Sequence, residues 1–140
     1  MAKIIHSLTT NERISLMTDT RSVCELSADV YDDWRESLHE LTEMTLDSSV
    51  KLFFFNRIKA YKERKGDGTL LMNELVCILD REQITVLNCL SPYGKMKLSG
   101  LVRFNEKFGF EIVFGSVKKG EVWMLRKPKE WKENEDENLV

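Results

Sequence analysis

The sequence predicts an α/β or α+β fold, with a mixed central sheet built on a parallel strand–helix–strand core. From residue 49 onward the patterns follow the order strand, helix, strand, helix, strand, strand. The strand–helix–strand unit at 49–90 needs a crossover, which makes its two strands parallel. The chain has 140 residues, of which 42% are hydrophobic and 31% charged, a size and balance that suit one globular domain.

The first segments are short. Residues 3–8, "KIIHSL", predict a first strand. Thr9 and Glu12 then stand at the spacing of a capping box, which predicts a short helix over 10–18.

The clearest helical pattern is "ELSADVYDDWRESLHELTEM", 25–44. Ser27 is suited to cap this helix, and Asp29 would lie in its positive first turn. One apolar stripe recurs at helical spacing and consists of Val30, Trp34, Leu38 and Leu41. The stripe favours core packing over a partner-binding surface.

The segment "SVKLFFFNRIKAY", 49–61, predicts a strand. Strict alternation places Leu52, Phe54, Asn56, Ile58 and Ala60 on one face and Phe53, Phe55 and Arg57 on the other. Three phenylalanines over both faces indicate a central strand. Residues 68–80 predict a helix, and the apolar segment 84–90 predicts a second buried strand.

The C-terminal part predicts a helix in "KLSGLVRFNEKF" that ends at Gly109, followed by a hairpin that turns at "VKKG". We expect residues 1–127 to form a single domain. We expect residues 128–140 to form a charged tail, in which Trp131 is the one residue suited to docking.

The net charge and the distribution of apolar residues bear on the possible partners and location of the protein. The net charge of −2 implies no general attraction to nucleic acid, and none is expected as a partner. No apolar run approaches the roughly 20 residues that span a bilayer, so no membrane partner is expected. The first residues make a poor signal peptide, and a cytoplasmic location is predicted.

The three cysteines, Cys24, Cys77 and Cys89, are far apart in sequence, and with His6 and His39 they do not match zinc-site spacing. Buried free thiols are predicted, and a catalytic Cys–His pair stays open.

The stretch "RKGDGTLL", 64–71, joins the predicted strand to the predicted helix. Gly66 and Gly68 would allow a phosphate to approach the amides of a helix start, but they also suit a plain tight turn. Asp67 would repel a phosphate unless its side chain pointed outward, and without a ligand it would instead cap the helix. The ending lacks the lysine of a P-loop. Both interpretations stay open.

Two segments in this order resemble the GCN5-related N-acetyltransferase (GNAT) family. They are "RIKAYKERKGDGTLLMNEL" and "LVRFNEKFGFEIVF" with "GEVWMLRKP", and the resemblance covers roughly 50–127. The sequence departs from the family pattern at Glu63, at Asp67 and at Asn105, where many members carry a catalytic tyrosine.

The resemblance implies that acetyl-CoA is a cosubstrate. Its diphosphate would bind the N–H groups of 65–69, and its pantetheine arm would lie along 56–60. The implied cofactor-binding residues are Ile58, Ala60, Arg64, Lys65, Gly66, Asp67, Gly68 and Thr69.

The resemblance further implies transfer of acetyl to a small-molecule or protein amine. Tyr93 is the available general acid, although it also suits loop packing, and Asn105 could hold a water or the thiol. Glu111 and Asp29, Asp32 and Asp33 could attract a cationic amine, or the three aspartates could form only a solvated helix start. The alternative is a non-enzymatic protein of the same fold, such as a phage structural or host-interacting protein. The oligomeric state stays open.

Overall fold

One mixed sheet organises the chain. The computed structural model describes residues 2–59, 66–91 and 97–130, and within them the sheet has seven strands in the order β1-β2-β3-β4-β5-β7-β6. The elements, in chain order, are β1 (Ile4–Thr9), β2 (Arg13–Thr18), β3 (Val23–Ala28), α1 (Asp33–Thr42), β4 (Lys51–Lys59), α2 (Asp67–Glu82), β5 (Ile84–Leu90), α3 (Leu98–Glu106), β6 (Glu111–Ser116) and β7 (Glu121–Arg126). The fold class is α+β.

The parallel core is confirmed. β4 pairs parallel with β5, whereas the other neighbouring strands pair antiparallel. The crossover between β4 and β5 contains α2. β4 is the middle strand of the seven, so apolar side chains cover both of its faces, as the three phenylalanines predict.

The helix predicted over 10–18 is wrong, because this segment is a turn followed by β2. The hydroxyl of Thr10 accepts hydrogen bonds from the backbone N–H groups of Glu12 (3.2 Å) and Arg13 (3.0 Å), which makes a side-chain turn rather than a helix cap. β2 then buries Ile14 and Leu16 completely. The spacing that suggests a capping box therefore belongs to a hairpin between β1 and β2.

The helix predicted over 25–44 is only half right. Its first residues belong to β3, and α1 spans ten residues, Asp33–Thr42. Of the predicted stripe, Leu38 is fully buried, but Val30 and Leu41 are 60% and 44% exposed. Ser27 is a strand residue, and its hydroxyl accepts a hydrogen bond from the amide of Asn56 at 2.6 Å.

The helices pack on both faces of the sheet. α2 and α3 cover one face, where the larger core includes Leu71, Leu75 and Val102. α1 covers the other face through Leu38, which packs with Trp123 and Leu125. Among the described helices, none is long and apolar enough to cross a membrane.

The C-terminal predictions on local structure are confirmed. Gly109 follows α3 with φ +92°, and the N–H of Phe110 donates to the carbonyl of Asn105, which closes the helix end. β6 and β7 form the predicted hairpin, and its turn is closed by the bond from Gly120 N–H to the Val117 carbonyl.

Candidate cofactor-binding site

The two parallel strands separate at their C-terminal ends. Their pairing runs from Lys51–Ile84 to Phe54–Leu87 and stops there. β4 continues to Lys59, and β5 continues to Leu90 while it pairs only with β7 on its other side. Among the described residues, the β5-facing edge of β4 over 55–59 has no partner strand. Unpaired backbone groups of this kind can accept an extended ligand.

A β-bulge in β4 lies beside this separation. Glu25 of β3 pairs with Arg57, but the next residue, Leu26, pairs with Phe55, so Asn56 is the extra residue. The bulge reverses the alternation, and Ile58 packs on the α2 and α3 face together with Phe55. The predicted placement of Ile58 on the face of Leu52 and Phe54 is therefore wrong.

The N-terminus of α2 lies at the same end of the sheet, because α2 follows β4 in the chain. Its N-cap is Gly66, with φ +99°, which provides no side chain to cap the helix. The amides of a first helical turn have no partners within the helix, and the helix dipole is positive there. Among the described residues, apart from its chain neighbours, none lies within 4 Å of the position that a Gly66 Cβ would occupy. A loop of this shape can accept an anion.

The next two loop residues have different environments. A Cβ on Gly68 would contact the ring of Phe104 in α3 at 3.5 Å, so Gly68 faces the protein rather than an open approach. Thr69 is exposed.

The Asp67 side chain lies inside the protein, so the expectation that it points outward is wrong. The residue is 3% exposed, and its carboxylate accepts hydrogen bonds from the hydroxyls of Thr20 (2.5 Å) and Ser22 (2.7 Å). The alternative expectation, a carboxylate that only caps α2, also missed these bonds. They are made across more than forty residues of sequence, and no local pattern reveals them.

Asn105 lies in α3 and is 4% exposed. Its amide donates to the carbonyl of Leu101 at 2.8 Å, and its side-chain oxygen accepts from Asn88 at 3.0 Å. Asn88 is the first residue of β5 beyond the last pair with β4. Asn88 was not predicted as a site residue, although an amide side chain within the apolar run "ITVLNCL" is a usable signal.

Four of the predicted site residues, Ala60, Arg64, Lys65 and Tyr93, lie outside the described residues, as does Glu63. Of the acidic residues expected near an amine, Asp29 lies away from the separated end. The N–H of Asp29 donates to Leu52, at the start of β4. Glu111 is an exposed residue of β6.

The thiols differ from the prediction that all three are buried. Cys24 is buried, whereas Cys77 and Cys89 are exposed. Burial, and to a smaller extent the negative charge of the neighbouring Glu25, raises the pKa of Cys24 to about 12. Partial burial of the thiol, and to a smaller extent the negative charge of Glu121, raises the pKa of Cys89 to about 12. Both thiols are therefore protonated at neutral pH, which disfavours a thiolate nucleophile. The described residues contain no cluster of His, Cys, Asp and Glu that could hold a metal.

A cleft of about 600 Å³ lies at the opposite end of the sheet. Val50 and Lys51, at the start of β4, and Ile84, at the start of β5, contribute to its wall. It is separate from the end where β4 and β5 diverge.

The seven-stranded mixed sheet and its helices form an α+β fold that is GNAT-like by its similarity to a solved structure. The structure is similar to the crystal structure of NAA60, a GNAT acetyltransferase from Arabidopsis thaliana, in complex with a bisubstrate analogue. The TM-score is 0.58 at 12% sequence identity, over 86% of this chain and 78% of that chain. At this identity the similarity concerns the fold. No family model and no curated protein sequence matches the chain.

Proposed function

We propose that the protein is an acyl-CoA N-acyltransferase that moves an acetyl group from acetyl-CoA to an amine. One observation carries the proposal: the unpaired edge of β4 and the glycine-capped start of α2 lie at the same end of the sheet. Only residues 60–66 separate the end of β4 from α2, so one extended ligand can contact both. An extended arm that ends in a diphosphate matches this pair of features.

The proposed contacts follow from the backbone. The N–H groups of 65–69 bind the diphosphate, and Arg64 and Lys65 add positive charge. The backbone over 55–60, which includes Ile58 and Ala60, pairs with the pantetheine amides as an added strand would. The similarity to a fold crystallised with a bisubstrate analogue supports this assignment.

Acetyl-CoA supplies an activated acetyl group as a thioester. The chain holds the amine and the thioester in the right relative position. Its backbone N–H groups near Arg57 stabilise the developing oxyanion, and it supplies a proton to the departing sulfur. Tyr93 is the proposed proton donor. The bond between Asn88 and Asn105 holds α3 against β5 at the point where the strands separate. The protonated thiols favour direct attack by the amine over an acyl-cysteine intermediate.

A specific observation favours a second candidate, a non-enzymatic protein that keeps the fold. The side chain of Asn105 already makes two hydrogen bonds within the protein, which leaves it poorly placed to assist a leaving group. This candidate predicts either no binding of acetyl-CoA or binding without transfer.

The test compares two glycines that both have positive φ. The values are +99° at Gly66 and +80° at Gly120, and no described residue beyond the chain neighbours lies within 4 Å of a Cβ placed on either. Gly66→Val and Gly120→Val should therefore strain the backbone to a similar degree, by about 1–2 kcal/mol. The unfolding free energy of each variant and of the wild type is measured in urea with and without acetyl-CoA.

At a ligand concentration of 100 times Kd, the wild type and Gly120→Val should gain about 2.7 kcal/mol, and Gly66→Val should gain almost nothing. Release of the CoA thiol in the presence of a panel of primary amines then tests transfer. Equal ligand stabilisation of the two variants would refute binding at the start of α2. Binding without thiol release from any amine would support the non-enzymatic candidate.

A further inference from the structure

The turn between β2 and β3 holds the start of α2 through a buried network of hydroxyl groups. Thr18 and Ser22 are fully buried, Thr20 is half-buried, and Asp67, the first residue of α2, is 3% exposed. The hydroxyls of Thr20 and Ser22 both donate to one carboxylate oxygen of Asp67, Oδ2. The network joins two parts of the chain that are 45 residues apart.

Each hydrogen bond of this network has a defined direction. Because the single hydroxyl proton of Thr20 points to Asp67, the hydroxyl of Thr18 must be the donor in its 2.7 Å bond with Thr20. The hydroxyl of Thr18 in turn accepts from the backbone N–H of Ser22 at 3.0 Å. The chain of donors therefore ends at the carboxylate, where charge-assisted bonds are strongest.

This arrangement explains a carboxylate between two glycines of an anion-binding loop. Gly66, which adopts φ +99°, and Gly68 carry no side chain that could hold this turn in place. Asp67 restrains the turn from the buried side. The first amides of α2, which a helix leaves without partners of its own, are the groups available to a ligand. A binding site gains affinity when its donors are fixed before the ligand arrives.

We propose that Asp67, held by Thr20 and Ser22, is a positioning residue that fixes the amides of 66–69 for the diphosphate of acyl-CoA. The inference rests on the proposed function. It assigns to the β2–β3 turn a role in ligand affinity, which the turn exerts without touching the ligand. The network should matter only for ligands that carry the diphosphate.

The test uses near-isosteric removal of the two donors. Thr20→Val is the mild variant, because Thr20 is only half-buried, and Thr20→Val with Ser22→Ala removes both hydroxyls. Asp80→Asn is the matched control, because it breaks a buried contact at the opposite end of the same helix. Affinity is measured by calorimetry for CoA, which carries the diphosphate, and for pantetheine, which does not. Hydrogen exchange of the amides at 67–70 is measured without ligand.

The double variant should bind CoA about tenfold more weakly and exchange the amides at 67–70 faster, with pantetheine affinity unchanged. Thr20→Val should show a smaller change of the same kind, and Asp80→Asn should keep the wild-type affinity for CoA. Unchanged CoA affinity in both network variants, or an equal loss for CoA and pantetheine, would overturn the positioning role alone. A wild type that binds neither ligand would overturn the proposed function and this inference with it.

Discussion

At the residue scale, one buried ion pair joins the end of α2 to the last strand. Arg126 is 2% exposed, and its guanidinium donates to the Asp80 carboxylate at 2.9 and 3.3 Å and to the Phe108 carbonyl at 2.6 Å. Burial raises the pKa of Asp80, but the bonds from Arg126 and from the N–H of Lys129, with the charges of both residues, hold it below the ordinary 3.8. The pair fixes α2, α3 and β7 relative to one another.

The pH dependence of stability should follow from this carboxylate. A lowered pKa in the folded state adds stability above the unfolded pKa of about 3.9, and this stability is lost as the pH falls through the folded value. At pH 7, Asp80→Asn should cost about 3 kcal/mol, because it leaves Arg126 buried without its counter-charge. Urea unfolding of both proteins at several pH values should show the difference shrinking below about pH 4. A difference that stays constant with pH would contradict this assignment.

At the element scale, α1 shows why a helix boundary is hard to predict. Asp32 occupies the N-cap position, but its side chain makes no capping hydrogen bond. The carboxylate of Asp29, three residues earlier, caps the helix instead by accepting from the N–H groups of Trp34 (3.1 Å) and Arg35 (2.9 Å). The sequence pattern predicts one long helix that Ser27 caps, with Asp29 in its first turn. The chain instead leaves β3 and turns through Asp32, whose φ is +59°. Pairing with β2 on one side and β4 on the other makes Val23–Ala28 a strand.

Asp29→Ala should therefore lower the unfolding free energy by about 1–2 kcal/mol, since two first-turn amides lose their acceptor. Ser27→Ala should cost less, about 0.5 kcal/mol, because Ser27 makes one side-chain bond with Asn56. Urea unfolding of the two variants measures both values. The reverse order, with Ser27→Ala the more damaging, would restore the longer helix that the sequence alone suggests.

At the scale of the whole molecule, the elements from residue 49 onward could be predicted. Before it, the first strand and the C-terminal part of the long helix could be predicted, but β2 and β3 could not. β4, α2 and β5 have long apolar patterns bounded by polar turns, and these local signals agree with the tertiary structure. β2 and β3 have six residues each and gain their stability from pairing with neighbours, so their local sequence is ambiguous.

Some features of the candidate site could likewise be predicted from the sequence, and others could not. Gly66 and the crossover to α2 follow from sequence, because glycine punctuation is local. The bulge at Asn56, the bonds of Asp67 to the β2–β3 turn, and the bond between Asn88 and Asn105 do not, because each depends on contacts between distant segments. The side chain of Asp67, which looked least suited to an anion site, is buried and held by two hydroxyl groups.

The most direct test of the account is an NMR titration of the ¹⁵N-labelled protein with CoA. We expect the changes in backbone amide chemical shift to concentrate at 55–59, at 66–70 and at 88–90, the three segments around the separated ends of β4 and β5. Amides at Val50 and Ile84, beside the cleft at the opposite end of the sheet, should shift little. No shifts at saturating CoA, or shifts centred on Val50 and Ile84, would contradict the assignment of an acyl-CoA site to the separated strands.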